Sequence, residues 1–352
     1  MRNPIQKNNL LLATNRPAKA IMTLSTLLLL GGILSACGSS TNSSTGSTTS
    51  SASPAVNYPT RPVQIDFPFT VGTPGDLLAR ELAPALQATL KQPFNVIDVP
   101  GAAGATGMSQ ALSASPNGYT LALAPLATLA VQPHRTRLSY GSPSTYTPIA
   151  SLTNEPEVLL VSSKSPFKTL NEFIAYAKLH QVSVGDSGLG TILDIDSKLL
   201  AHDAGYSVND VPFTGEPQAV AAVLGSHVTA AVVGVTTALP YVKAGNIRVL
   251  ATFTPKALPS LPNVPPISSF GYKIYYGVSD YLIAPHGLAS SIANKLATAV
   301  SQALKSPKLD AFVAKEGWQL TPGGPSSTLA VLEKDYQEMG AIVNELHLQV
   351  KG

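Results

Sequence analysis

The stretch Phe67 to Asp76, FPFTVGTPGD, decides how the chain is read. Val63, Ile65, Phe67 and Phe69 alternate in a short run rich in Phe and Val, the period of a strand. The run stops at Gly72-Thr73-Pro74-Gly75. Beyond Asp76 the period changes, and Leu77, Leu78, Leu82, Leu86 and Leu90 recur at helical spacing. A strand, a glycine-containing turn and then a helix aim backbone N–H groups at an anion. Asp76 stands where an N-cap residue or a first-turn acid would stand. Alone, such a turn is also simply a tight βα connection, so its surroundings have to decide.

Downstream, Phe94 to Val99 reads as a second strand, PGAAGATG (Pro100 to Gly107) as a glycine-rich loop entering a small-residue helix, and Tyr119 to Ala124 as a third strand. This βαβαβ order implies a mostly parallel sheet flanked by helices. A turn-rich stretch, His134 to Pro148, follows. A second unit then repeats the plan: Val182 to Val184 opens onto GDSGLGT (Gly185 to Thr191), and Val208 to Pro212 opens onto PFTGEPQAV. Tyr275 to Ala284 reads as a strand leading back to the first unit, and helices Ser290 to Leu304 and Pro325 to Leu346, broken by GWQLTPGG, close the chain. The expected organisation is a lobe built from 58–160 and 278–352, with a second lobe, 161–277, inserted. Two crossings between α/β lobes make a hinged cleft, and the glycine loops gather at the carboxyl ends of strands, where ligands bind in open sheets.

Upstream, residues 1–36 read as a targeting segment. Basic Arg2, Lys7, Arg16 and Lys19 precede an apolar run, Ile21 to Leu34, which is short for a membrane span. Leu34-Ser35-Ala36-Cys37 resembles the bacterial lipobox, which implies cleavage before Cys37 and a lipid on its sulfur. Cys37 is the only cysteine among 352 residues, so no intramolecular disulfide is possible. Residues 37–57, rich in Ser, Thr and Gly, read as a tether with little to bury. The formal charge of +3 comes from the leader: without its four basic residues, 19 Lys and Arg face 20 Asp and Glu. A basic face for nucleic acid is therefore not expected.

The chemistry is sparse. Gly185-Asp186-Ser187-Gly188 resembles the nucleophile signature of chymotrypsin-like proteases, but the α/β text and the lack of His and Asp in supporting contexts argue against it. The loop PGAAGATG lacks the G-x-G start of the dinucleotide fingerprint, and there is no Walker lysine. It reads equally as close helix-on-strand packing or as a second set of amides lining the cleft. The six histidines show no metal-ligand spacing. Asp194 and Asp196 read as capping and dipole residues. No metal and no cofactor is expected. Glycine, hydroxyl and amide without a positioned acid, base or nucleophile is the profile of a binding site, not of an enzyme.

The segments YPTRPVQIDFPFTVGTPGD, DVPGAAGATG, SPNGYTLALA, PFTGEPQAVAAVLGS, ALPYVKAGNIRVLA and LPNVPPISSFGY, in order from Tyr58 to about Leu346, resemble the Bug/TctC family. These are extracytoplasmic solute-binding proteins of tripartite tricarboxylate transporters. The resemblance implies a two-lobed periplasmic-binding-protein fold, type II-like, with the cleft between lobes. It implies a periplasmic lipoprotein, expected as a monomer, that closes on a small organic carboxylate and delivers it to a membrane permease. Carried over by position, the ligand would meet Phe69, Val71, Gly72, Thr73 and Asp76 in the first loop, Gly104 (with Gly107 nearby) in the second, and Thr128 after the third strand. From the inserted lobe it would meet Ser187, Gly188, Gly190, Thr191, Phe213 and Gly215. The first loop departs from the family pattern of two prolines and two glycines, showing Thr70-Val71 and Gly72-Thr73 instead. A histidine is usual where Asp194 stands, and acids are frequent where Thr229 and Gly234 stand. With Val71, Leu126 and Leu193 adding apolar bulk, a ligand with an apolar body and at least one carboxylate is expected. The alternative is a protein of the same fold that presents a ligand to a receptor.

Overall fold

The computed structural model describes residues 57–350. The expected leader (1–36), the expected lipidation site Cys37 and nearly all of the expected tether lie outside the described residues. Strands β1 (Val63–Phe67), β2 (Phe94–Asp98), β3 (Thr120–Pro125) and β4 (Tyr146–Glu155) belong to a first sheet. Strands β5 (Glu157–Ser162), β6 (Val182–Asp186), β7 (Val208–Pro212), β8 (Ala230–Gly234) and β9 (Ile247–Thr252) form a second, and β10 (Val278–Pro285) and β11 (Gln319–Gly323) return to the first. The orders are β11-β4-β10-β3-β1-β2 and β7-β6-β8-β5-β9.

The helices are α1 (Pro74–Leu90), α2 (Ala105–Leu112), α3 (Gln132–Arg135), α4 (Leu170–Ala177), α5 (Ile192–Ala204), α6 (Glu216–Leu224), α7 (Val235–Lys243), α8 (Ser290–Leu304), α9 (Pro307–Glu316) and α10 (Pro325–Glu345). None of the described helices is long and apolar enough to cross a membrane. The periodicities act as expected. Leu78, Leu82 and Leu86 of α1 are fully buried against Val63, Ile65 and Phe67 of β1 in one cluster. Thr169 caps α4 by accepting a 3.2 Å bond from Glu172 N.

Two details correct the sequence reading. The sheets are mixed rather than mostly parallel. Only β1 with β2 and β3, and β6 with β7 and β8, pair in parallel. β10 and β5, which adjoin the crossings, enter antiparallel to β3 and β8, because the chain must turn back to change lobes. The first crossing also falls at Pro156, between β4 and β5, earlier than the boundary expected after residue 160.

Besides a core within each sheet's own layers, one cluster runs through both lobes. It joins Leu126 and Leu129 of the first to Ile192 and Leu193 of the second. The lobes therefore share apolar surface as well as crossing strands.

Candidate functional site

The first loop folds as a capped helix entrance. Gly72 takes the left-handed region, φ +84°, and Thr73 is the extended N-cap, so Asp76 is the first-turn acid and not the cap. The Asp76 carboxylate is buried. Its Oδ2 accepts from Gly72 N at 2.7 Å and its Oδ1 lies 2.6 Å from Arg80 Nε. Arg80 also reaches Asp98, at the end of β2, at 2.5 Å. Thr73 Oγ1 donates to Thr70 O at 2.9 Å. The buried carboxylate thus holds the turn from within, while the N-cap side chain leaves the first helical amides uncapped.

The inserted lobe repeats this entrance, except that its N-cap hydroxyl also caps the helix, Thr191 Oγ1 accepting from Asp194 N at 3.3 Å. Gly190 has φ +80° and Thr191 is the extended N-cap of α5. Asp194 Oδ2 accepts from Gly190 N at 2.7 Å, and Thr191 Oγ1 donates to Gly188 O at 2.9 Å. Lys198 stands in place of Arg80: its ammonium pairs with Asp194 and, at 2.9 Å, with Asp210 on β7. The shared pattern is Gly-Thr-x-x-Asp-x-x-x-Arg/Lys, with the cation tied to the neighbouring strand. Two helix N-termini are built by one device, one on each lobe. Val71 and Leu189 occupy matching positions at the two loop tips and are 70% and 52% exposed.

Neighbouring loops complete each half. In the first lobe the structure brings together Phe69, Gly104 and Thr128: a Cβ on Gly104 would lie 2.5 Å from Thr128 Cγ2 and 3.2 Å from Phe69 Cζ. Residues 101–104 all have positive φ, including Ala102 (48°) and Ala103 (51°), a strained turn for alanine. A Cβ on Gly107 would lie 2.6 Å from Val99 O, so Gly107 serves close packing. In the second lobe Phe213 lies against Gly185 and Gly188, and Gly215 begins α6 without a side-chain cap, as Gly104 does α2.

The sequence reading missed the residues that join the lobes here. Between the third strand and the turn-rich stretch expected from His134, a π-helical turn over Ala127–Val131 runs into α3. Gln132 Nε2 donates to Gly190 O at 3.3 Å, and Arg135 Nη1 to Leu189 O at 3.1 Å. Arg135 is held by the C-terminal segment: its Nε donates to Leu348 O at 3.1 Å, and its carbonyl accepts from Val350 N at 2.9 Å. Trp318 Nε1 makes a further interlobe bond, donating to Thr236 Oγ1 at 2.7 Å.

The sequence profile described as Tripartite tricarboxylate transporter family receptor (TctC) matches residues 78–348. The chain belongs to this receptor family. Protein BugT of Bordetella pertussis is 28% identical over 305 residues, 84% of this chain and 93% of BugT. A TctC solute-binding protein from Polaromonas, solved with no ligand, superposes with a TM-score of 0.72 at 26% identity, covering 82% of this chain and 99% of that one. MatC from Rhodopseudomonas palustris, solved with bound malate, gives 0.73 at 26% identity over 81% and 100%. The two-lobed fold and the expectation of a binding protein rather than an enzyme hold on these grounds. As a TctC receptor it is a periplasmic solute-binding protein.

This TctC receptor carries an unusual set of buried acids behind its loops. Asp196, expected to be a dipole residue, is instead fully buried on α5 beside the equally buried Glu157, and burial pushes it up to about 8. Burial, and then the charge of Glu216, push Glu155 up to about 8. The Glu155 carboxylate fills the space where a side chain on Gly234 would lie, and its Oε1 accepts from Thr236 N at 3.2 Å. An acid from β4 thus occupies the place at Gly234 where relatives were expected to carry their own. Asp186, Asp194 and Asp210 bring one oxygen each within 4.8 Å of one another. Lys198 already supplies the positive charge there, and burial with the neighbouring Asp210 pushes Asp186 up to about 8.

Proposed function

We propose that this TctC receptor captures a small organic carboxylate between its lobes and delivers it to the membrane permease of a tripartite tricarboxylate-type transporter. The observation that carries the reading is the pair of matching helix entrances, at Gly72–Asp76 and Gly190–Asp194, one on each lobe. Each turn is stapled internally by its own carboxylate, and an anion is favoured at a helix N-terminus. The malate held by MatC supports the carboxylate class. Phe69, Gly104 and Thr128 on one side, and Ser187, Gly188, Thr191 and Phe213 on the other, are the residues assigned to line the bound solute. Val71 and Leu189 favour a ligand with an apolar body. Closure shifts the population toward the state in which both loops engage the solute. The lipid on Cys37, the monomeric state and the permease partner belong to this proposal. A Cys37→Ala variant recovered in the soluble fraction would support the anchor.

The test is a thermal-shift panel of mono-, di- and tricarboxylates that includes malate. A ligand at about 100 times its Kd stabilises by about 2.7 kcal/mol, so a true ligand gives a clear upward shift. A panel in which no carboxylate moves the transition refutes the reading. A second reading, presentation of a ligand to a receptor, is favoured by the first loop, where Thr70-Val71 and Gly72-Thr73 stand in place of the expected two prolines and two glycines. Co-purification of the protein with a sensor rather than a permease would select it.

A further inference from the structure

A cavity of about 770 Å³ lies at the lobe junction, away from both glycine loops. The sheet orders fix its place. The loop-bearing strands are β2-β1-β3 and β7-β6-β8, at one side of each sheet. The cavity is instead built on β4, β10 and β11 and on Phe253–Pro255, which directly follow β9. Lys273, Tyr275 and Tyr276, in the segment returning to β10, form another wall, and the α10 face carrying Val331 and Asp335 closes it. No residue of Phe69–Asp76 or Ser187–Thr191 lines it. It is a separate site from the solute cleft.

Its lining indicates a ligand class. Phe253, Tyr275, Tyr276 and Tyr281 give it an aromatic character, and its volume falls within the roughly 300–1,000 Å³ typical of small-molecule sites. Within α10 one ammonium serves two carboxylates: Lys334 lies 3.2 Å from Glu338 and 4.0 Å from Asp335. Tyr281 donates a long bond, 3.5 Å, to Asp335. Lys273 lines the cavity and has no ion pair among the described residues. Its ammonium stands beside a wall of rings with no carboxylate within ion-pair distance among the described residues.

We propose that this cavity is a second ligand site, for a flat aromatic monocarboxylate whose ring packs on the tyrosines and whose carboxylate meets Lys273. Because its walls come from both lobes, its shape depends on the angle between them. Any occupant is therefore linked to occupancy of the solute cleft, and the linkage is reciprocal.

The experiment is a fluorine NMR titration of the purified protein with 4-fluorobenzoate at millimolar concentration. Wild type is expected to bind it saturably. Lys273→Gln removes the charge and is expected to weaken binding about tenfold, the scale of one charge-assisted contact. Val331→Trp fills the cavity from an exposed helix position and is expected to abolish binding. Both positions are exposed, and circular dichroism checks that each variant is folded. Absence of saturable binding to wild type, or wild-type affinity in either folded variant, overturns the proposal.

Discussion

Gly72 and Gly190 offer a test in which the protein supplies its own control. The two glycines hold the same place in matching loops, with φ of +84° and +80°. Alanine at either position therefore meets the same backbone penalty, about 1–2 kcal/mol for an L-residue in the left-handed region. Their surroundings differ. A Cβ on Gly72 meets nothing within 4 Å, whereas one on Gly190 would overlap the Arg135 guanidinium and lie 2.8 Å from Gln132 Nε2. Both side chains are long enough to move aside, so the added cost is the bonds they lose: Gln132 to Gly190 O and Arg135 to Leu189 O. At about 0.5–1.5 kcal/mol for each bond, Gly190→Ala is expected to be destabilising by about 1–3 kcal/mol more than Gly72→Ala. Urea denaturation of both variants measures the difference. Adding Arg135→Ala to each completes a cycle: in the Gly190→Ala background its own cost should largely vanish, and in the Gly72→Ala background it should persist. Equal losses for the two glycine variants would refute the reasoning, because the contact between lobes would then contribute nothing.

Three further outcomes follow from buried charge and strain. Glu155, Asp186 and Asp196 are pushed up to about 8 and Asp280 to about 7, chiefly by burial. A folded pKa raised above the unfolded value gives stability that is whole below about pH 4 and lost as pH rises toward 8. Unfolding free energy is thus expected to fall by at least about 2 kcal/mol between pH 5 and pH 8, and a rise over that window in urea titrations would contradict it. Asp196→Asn keeps the shape and removes one titrating member of the Asp196–Glu157 pair. It should flatten this slope with little loss at pH 8, and an unchanged slope would exclude Asp196 as a contributor. Ala103 sits at φ 51°. Ala103→Gly is expected to raise stability by about 0.5–1 kcal/mol, the relieved strain less the added freedom of the unfolded chain, and a lowered melting temperature would show that the turn is not strained.

The sequence made the strand–loop–helix entrances legible because their devices are local. Period changes at Asp76 and Thr191, glycines at left-handed positions and hydroxyls at N-caps are all written within a few residues. The residues that act between elements were not. Gln132 and Arg135 lie at the start of the stretch read as turn-rich from His134, yet they reach another lobe. β11, with Pro322 and a closing glycine, also reads as a break, and it survives as a strand because an edge tolerates both. Asp196 looked like a dipole residue by position, and only packing shows that its neighbour is Glu157 rather than solvent.

The two entrances share one construction but are not anchored alike, and the difference bears on how the cleft works. The staple of the first loop ends within its own lobe: Asp76 to Arg80 to Asp98. The second loop has the corresponding chain, Asp194 to Lys198 to Asp210. Its outward carbonyls, however, are also held by Gln132 and Arg135 of the opposite lobe, and Arg135 is in turn fixed by the C-terminal segment at Leu348 and Val350. The loop's amides are engaged within it: Gly188 N donates to Asp186 Oδ1 at 2.7 Å, Gly190 N to Asp194 Oδ2 at 2.7 Å and Thr191 N to Gly188 O at 3.2 Å. The second loop is therefore tied to the opposite lobe through its carbonyls as well as to its own lobe through its amides, and a movement between the lobes is felt at that one short turn.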